Sequence, residues 1–333
     1  MAAAPFMSPF SQPEPEPRDS HALDPAQLPE TAALHKISHQ AMNTIMEVLI
    51  DAPQQGVAQA AAYAAFQYID RLELMLSRFV EGSDTWRINH LAAGDWVPVT
   101  ADSLDCLSVA RQAYNLTAGA FDPTIGALFD AWRDPQGHPR EPTSDQIDEA
   151  LLHTGFDLLD INVDLFGVGV RVPHLQIDLG AIGKGFAVDR VMPLLAEWDV
   201  HNALFYGGAS TVYALGAGLD GSGWPVNLFH PEACASETTG LKLTNVAVSG
   251  SGLTVLGQHI IDPRSGQPVC HHLRSWALAP SAALADALST AFMVMDHHEI
   301  EALCRQHPDI AAMTLDHPDL GDELHRVGPW PGV

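Results

Sequence analysis

Positive charge is scarce in this chain. Its 333 residues hold 16 Lys+Arg against 41 Asp+Glu, a formal net charge of −25, and only three are lysines, Lys36, Lys184 and Lys242. General binding to nucleic acid or to an anionic membrane needs dense cationic surface, so no nucleic-acid partner is expected. A polyanionic ligand would have to meet cations placed locally, and a metal ion is one way to supply them.

Cysteine is also rare. Cys106, Cys234, Cys270 and Cys304 lie far apart and form no C-x-x-C pair; they read as free structural thiols and fit a reducing compartment. Long apolar runs are missing: nothing approaches the about 18 residues of a membrane-crossing helix, and the first thirty residues carry no basic segment followed by an apolar one. Those thirty residues instead scatter prolines at 5, 9, 13, 15, 17, 25 and 29. The expectation is a disordered Pro-rich leader over 1–30, one folded domain over 31–333, no membrane span and a cytoplasmic location. The 17 histidines include His271-His272 and His297-His298 but no H-E-x-x-H or Cys/His zinc spacing, so most read as surface or core residues.

What the chain does have begins with a segment of strand composition over 40–50 and a helical pattern over 57–79, where Val57, Ala61, Ala64, Tyr68, Leu72, Met75 and Phe79 recur at three- and four-residue spacing. SRFVEGSDTWRINH reads as a loop, a second helix starts near Asp102, and WRDPQGHPREPTSDQ is an exposed connection leading to a short helix and then a strand ending at IDLG. The helix after Gly185 should be kinked or shortened by Pro193. The runs NALFY, TVYAL, PVNLF, LKLTNVAV and LRSWALA follow as strands. Many strands in succession between helical ends predict an α+β fold with mixed, largely antiparallel sheets.

Four segments carry candidate chemistry. IDLGAIGKGFAVDR, 177–190, sets Lys184 in a glycine-rich turn that opens a helix, where backbone N–H groups favour an anion. Its glycines read G-x-x-G-x-G, which matches neither the P-loop nor the dinucleotide fingerprint; a plain tight connection and a phosphate site are equally open on this segment alone. SAALADALSTAFMVM, 281–295, is a helix with Ser281 as N-cap, and the four-residue step puts Asp286 and Thr290 on one face. A carboxylate and a hydroxyl there are half of a hard-cation site, or simply a solvated face. QHIIDPRSGQPV places His259 before a turn, as a proton carrier or a packing residue. AGAFDPT holds Asp122 in a small-residue turn that lines a pocket or merely ends a helix.

Taken in order, SRF…S…IN at 77–89, GAFDPTIG at 119–126, IDLGAIGKGFAVDR at 177–190, GG at 207–208, SG at 249–250, HIIDPRSG at 259–266 and ADALSTA at 285–291 resemble the ApbE family of flavin transferases. The resemblance implies a two-lobed, T-fold-like α+β domain with FAD in the cleft, and Mg²⁺ held by the Ala181 carbonyl and the Asp286 and Thr290 side chains. It places the flavin against Met42, Phe79, the Ala120-Phe121-Asp122 turn, Asp178, Lys184 and the Ile260 backbone, and sets His259 beside the reacting phosphate. The implied activity moves FMN from FAD to a Thr or Ser hydroxyl of an acceptor protein and releases AMP. A Mg²⁺-dependent FAD pyrophosphatase and a non-catalytic FAD-binding or delivery protein are the competing readings. The chain departs from the family pattern at Ala209, at Val248 and in a short segment between SG and HIIDP.

Overall fold

A computed structural model describes residues 33–134, 136, 138–228, 240–253, 260–269, 271–316 and 323–331. The expected leader over 1–30 and the candidate base His259 lie outside the described residues. The described part begins with β1 (Leu34–Ala41), β2 (Thr44–Asp51), α1 (Gln55–Leu76), α2 (Asp84–Asn89), β3 (Trp96–Pro98) and α3 (Ala101–Leu116). Next come α4 (Gly126–Ala131), α5 (Ser144–Leu152), β4 (Leu159–Asn162), β5 (Gly167–Val170), α6 (Gly183–Glu197), β6 (Ala203–Gly207) and β7 (Thr211–Leu215). Then follow β8 (Trp224–Asn227), β9 (Gly240–Leu243), β10 (Val246–Gly252), β11 (His272–Ala279), α7 (Ala282–Val294), α8 (His297–Gln306), β12 (Ala311–Asp316) and β13 (Leu324–Val327).

Eight strands make one sheet in the order β1-β2-β6-β7-β10-β11-β12-β13, with antiparallel neighbours throughout. Side chains alternate between its faces. Met46, Val48 and Ile50 of β2 and Ala203 and Phe205 of β6 join α1, α6 and α7 in the main core. Leu49, Leu204 and Tyr206 turn the other way, into a second core with Trp224, Val226, Leu241 and Leu243 of the β8-β9 pair. Burial on both faces is why these strands read as continuous apolar runs without polar alternation. A three-stranded sheet, β3-β5-β4, lies apart, and α4, α5 and Ile261 close a third, small core. The α+β class with largely antiparallel sheets is as the sequence predicts.

Several local expectations change. The single strand over 40–50 is two strands joined at Met42 and Asn43, whose φ angles of 51° and 57° make the tight turn of a hairpin. The loop after α1 contains α2, because Ser83 caps it by accepting from Trp86 N at 2.9 Å. IDLG is not a ladder strand; next to an isolated parallel bridge, Ile125 to Gln176, the Asn89 side chain holds the Ile177 backbone by accepting from its N–H at 2.7 Å and donating to its carbonyl at 2.9 Å. LKLTNVAV splits at Asn245, φ 51°, into β9 and β10, which belong to different sheets. Pro193 sits inside α6 without ending it and lies on the exposed side.

Candidate active site

The site is built where α7 meets α6 and the sheet. The only polar side chains of α7 are Asp286, Ser289 and Thr290, and Asp286 is 3% exposed. A carboxylate in so apolar a helix needs partners, because burying it alone costs several kcal/mol. Strands β7 and β10 supply them: Thr211 Oγ1 donates to Asp286 Oδ1 at 3.2 Å and Ser249 Oγ at 3.1 Å, and the two hydroxyls lie 3.0 Å from one another. Ser251 extends the seam to Ser289 at 2.9 Å and Thr290 at 3.3 Å. The result is a line of oxygen donors between α7 and β10, with Asp286 at its centre.

The glycine-rich turn meets this seam from the other side. Gly185 donates its backbone N–H to Asp286 Oδ2 at 3.1 Å, and Lys184 Nζ lies 3.4 Å from the same oxygen and donates to the Gly180 carbonyl at 3.2 Å. Asp189, one helical turn further along α6, caps α7 by accepting from Ala282 N at 2.7 Å and Ala283 N at 2.8 Å. Burial pushes the Asp189 carboxyl up to about 6 despite these bonds, which lower it. Gly185 is required by the close approach: a Cβ there would lie 2.1 Å from the Ala282 carbonyl oxygen.

In front of the turn lies a cleft of about 930 Å³. Met42, Phe79, Asp178 and Lys184 line it, together with Asn43, Glu73, Arg78, Phe129, Arg133 and Arg140 among others. Four of the chain's 16 Lys+Arg therefore line one cleft, beside four carboxylates, Glu73, Asp130, Asp134 and Asp178, so cations that a polyanionic ligand needs are gathered here but are balanced in charge by the cleft's own acids. Arg78 orients the floor: its Nη1 donates to Asp178 Oδ2 at 3.2 Å and its Nη2 lies 3.6 Å from Asp130, while Asp178 Oδ1 accepts from Gly180 N at 2.8 Å. At the rim, Glu73 accepts from Met42 N at 2.8 Å and so holds the hairpin turn in its positive-φ form. Phe79 is 67% exposed beside it, an aromatic face open to a ligand.

The remaining sequence candidates lie elsewhere. Ala120, Phe121 and Asp122 are buried and are not among the residues lining the cleft. Asp122 instead ties its turn to the neighbouring chain, accepting from Thr124 N and Oγ1 at 2.8 and 2.7 Å and from Phe156 N at 3.1 Å. Its burial raises the carboxyl to about 6. Ile260 is buried in the main core, and its carbonyl accepts from Val269 N at 3.0 Å. Ala181 lies half-buried in the turn between Gly180 and α6. Sequence reasoning passed over Arg78 and Ser249 although both stand inside segments it singled out, SRF and SG; Glu73, Thr211 and Ser251 carry no local signal.

The donor set suits a hard divalent cation. Lys184 already puts a positive charge between a turn carbonyl and the Asp286 carboxylate, and the neighbouring donors are hydroxyl oxygens, the ligand type that Mg²⁺ takes.

Comparison with known proteins gives one consistent result. A model of the ApbE family matches residues 42–314. The FAD:protein FMN transferase of Haemophilus influenzae is 29% identical over 236 residues, 66% of this chain and 68% of that protein. The one of Klebsiella pneumoniae is 26% identical over 304 residues, 86% and 85% of the two chains. Among solved structures, the apo flavinyl transferase ApbE of Pseudomonas stutzeri superposes with a TM-score of 0.77 at 28% identity, covering 89% of this chain and 96% of that one. The flavin transferase ApbE of Vibrio cholerae, at 23% identity and a TM-score of 0.78, has the same fold.

Proposed function

The chain belongs to the ApbE family, and from that premise we propose that it is an FAD:protein FMN transferase whose reaction centre is the Lys184–Asp286 pair, of which Lys184 lines the cleft. The observation that supports this most directly is that four cationic side chains from three separate segments, Arg78, Arg133 with Arg140, and Lys184, line the same cleft as the aromatic Phe79. FAD offers a pyrophosphate to the former and a flat ring to the latter.

Asp286 and Thr290, with the Ala181 carbonyl, would hold Mg²⁺ there. Bound, the ion would neutralise charge on the pyrophosphate oxygens. Lys184 sits on the same side and adds a fixed positive charge, while Thr211, Ser249 and the Gly185 N–H keep the Asp286 carboxylate oriented. The acceptor's Thr or Ser hydroxyl oxygen attacks the phosphorus on the FMN side, the bond from that phosphorus to the bridging oxygen breaks, and AMP leaves with the bridging oxygen. His259 is the proposed base that takes the hydroxyl proton.

The test is incubation with FAD and Mg²⁺, with and without candidate acceptor proteins, resolving AMP, free FMN and protein-bound flavin. The transferase reading expects AMP and covalently bound flavin in equal amounts, only with an acceptor. AMP matched by free FMN under every condition would make the protein an FAD pyrophosphatase instead, and FAD binding without AMP would make it a carrier.

A further inference from the structure

Outside the set of cleft-lining residues, three histidines converge on one carboxylate. His272 opens β11, Asp316 closes β12, His325 lies in β13 and His297 opens α8. Antiparallel pairing sets His272 opposite Asp316 and His325 opposite Thr314, so His325 and Asp316 are diagonal neighbours on one face. His272 Nδ1 lies 2.8 Å from Asp316 Oδ1, and His297 Nε2 and His325 Nε2 each lie 3.2 Å from Asp316 Oδ2. Among the described residues, His272, His297 and Asp316 form the group whose ligand atoms all fall within 4.8 Å of one another.

The hydrogen bonding of His272 bears on what sits between them. Its Nε2 is 3.1 Å from the Met295 carbonyl, which only accepts, so Nε2 carries the proton. In the neutral ring Nδ1 then presents a lone pair to a carboxylate oxygen, an unfavourable contact unless a cation lies between them. A metal ion relieves it without charging the ring. A ligating histidine typically donates its other N–H to a backbone carbonyl, as His272 does. Bonds of about 2.0–2.1 Å in a tetrahedral site put ligand atoms about 3.3 Å apart, and the three histidine contacts to Asp316, at 2.8, 3.2 and 3.2 Å, are near that spacing.

We propose that His272 Nδ1, His297 Nε2, His325 Nε2 and an Asp316 oxygen form a second metal site, for a borderline divalent ion of the Zn²⁺ type. Three imidazoles and one carboxylate select against Mg²⁺, which prefers an all-oxygen shell. The ion would pin the start of α8 to the ends of β11, β12 and β13. Through the Met295 carbonyl it would also brace the C-terminal end of α7, the helix that carries Asp286 and Thr290. The site is independent of the transferase reading, because none of its residues lines the cleft.

The test uses full-length, tag-free protein dialysed against limiting Zn²⁺ with excess Mg²⁺, with bound metal counted by mass spectrometry. About one Zn²⁺ per chain is expected, with X-ray absorption showing a nitrogen-rich shell and a melting temperature that rises with Zn²⁺. His297 and His325 are partly exposed, so His297→Gln and His325→Gln are expected to keep the fold and to bind Zn²⁺ at least about tenfold more weakly. Asp286→Asn should retain Zn²⁺. The assignment is overturned if the unaltered protein binds no Zn²⁺, or if either histidine variant binds it as tightly as the unaltered protein.

Discussion

Gly185 and Ala282 touch backbone to backbone: a single methyl group on Gly185 would come within 2.1 Å of the Ala282 carbonyl oxygen. This contact sets how deeply α6 packs against α7, and it brings the Gly185 N–H to Asp286. Gly185→Ala must push the helices apart, and overpacking of this kind costs roughly 1–3 kcal/mol. Chemical denaturation is expected to show that loss, accompanied by weakened Mg²⁺-dependent turnover. Unchanged stability would mean that the helices can separate freely.

Lys184 and Asp286 are expected to act as a pair with unequal consequences. Asp286→Asn removes the one carboxylate of the oxygen-lined seam, and AMP release should fall by at least about a hundredfold, in kcat. Lys184→Met removes a cation that lines the cleft, and the KM for FAD should rise by about tenfold. Because the side chains lie 3.4 Å apart, the double variant should lose less than the two losses combined. Strict additivity in steady-state kinetics would show the two residues to be uncoupled.

Phe79 separates binding from stability. It is 67% exposed, so Phe79→Ala should leave the melting temperature almost unchanged while FAD affinity, read by fluorescence quenching, drops by about tenfold through lost stacking. Arg78→Ala should weaken FAD binding and also destabilise the fold, because it releases Asp178 and Asp130 together. An unchanged FAD affinity in Phe79→Ala would remove that ring from the flavin site.

Asp122 should make stability depend on pH. Burial raises its carboxyl from an ordinary 3.8 to about 6, so between these values the folded chain holds a proton that the unfolded chain has released. Its contribution therefore falls as pH rises from about 4 to about 6 and is constant above, by up to about 3 kcal/mol for a shift of about two units. Asp122→Asn lacks this titration. The stability difference, unaltered protein minus variant, is expected to decline over that interval in urea denaturation. A flat difference would show that the hydrogen bonds from Thr124 and Phe156 outweigh the burial.

The α+β class, the positions of α1, α3 and α7, the Ser281 cap and the glycine-rich turn were all legible from residue order, because periodicity, capping and turn chemistry act over a few residues. The sequence also pointed to Asp286, Thr290 and Lys184 as candidates, through segments whose order is that of a family. Positive-φ turns at Met42 and Asn245 were hidden, since neither is glycine, and the strands they interrupt read as continuous. Tertiary structure alone placed Asp122 in a buried turn bonded to its own neighbourhood, and set Thr211 and Ser249 on Asp286 and Ser251 beside Thr290. It alone assembled His272, His297, Asp316 and His325, which are separated by too many residues for any spacing rule to connect. Such groups meet through strand register and helix packing, and those are set by the burial of the whole chain.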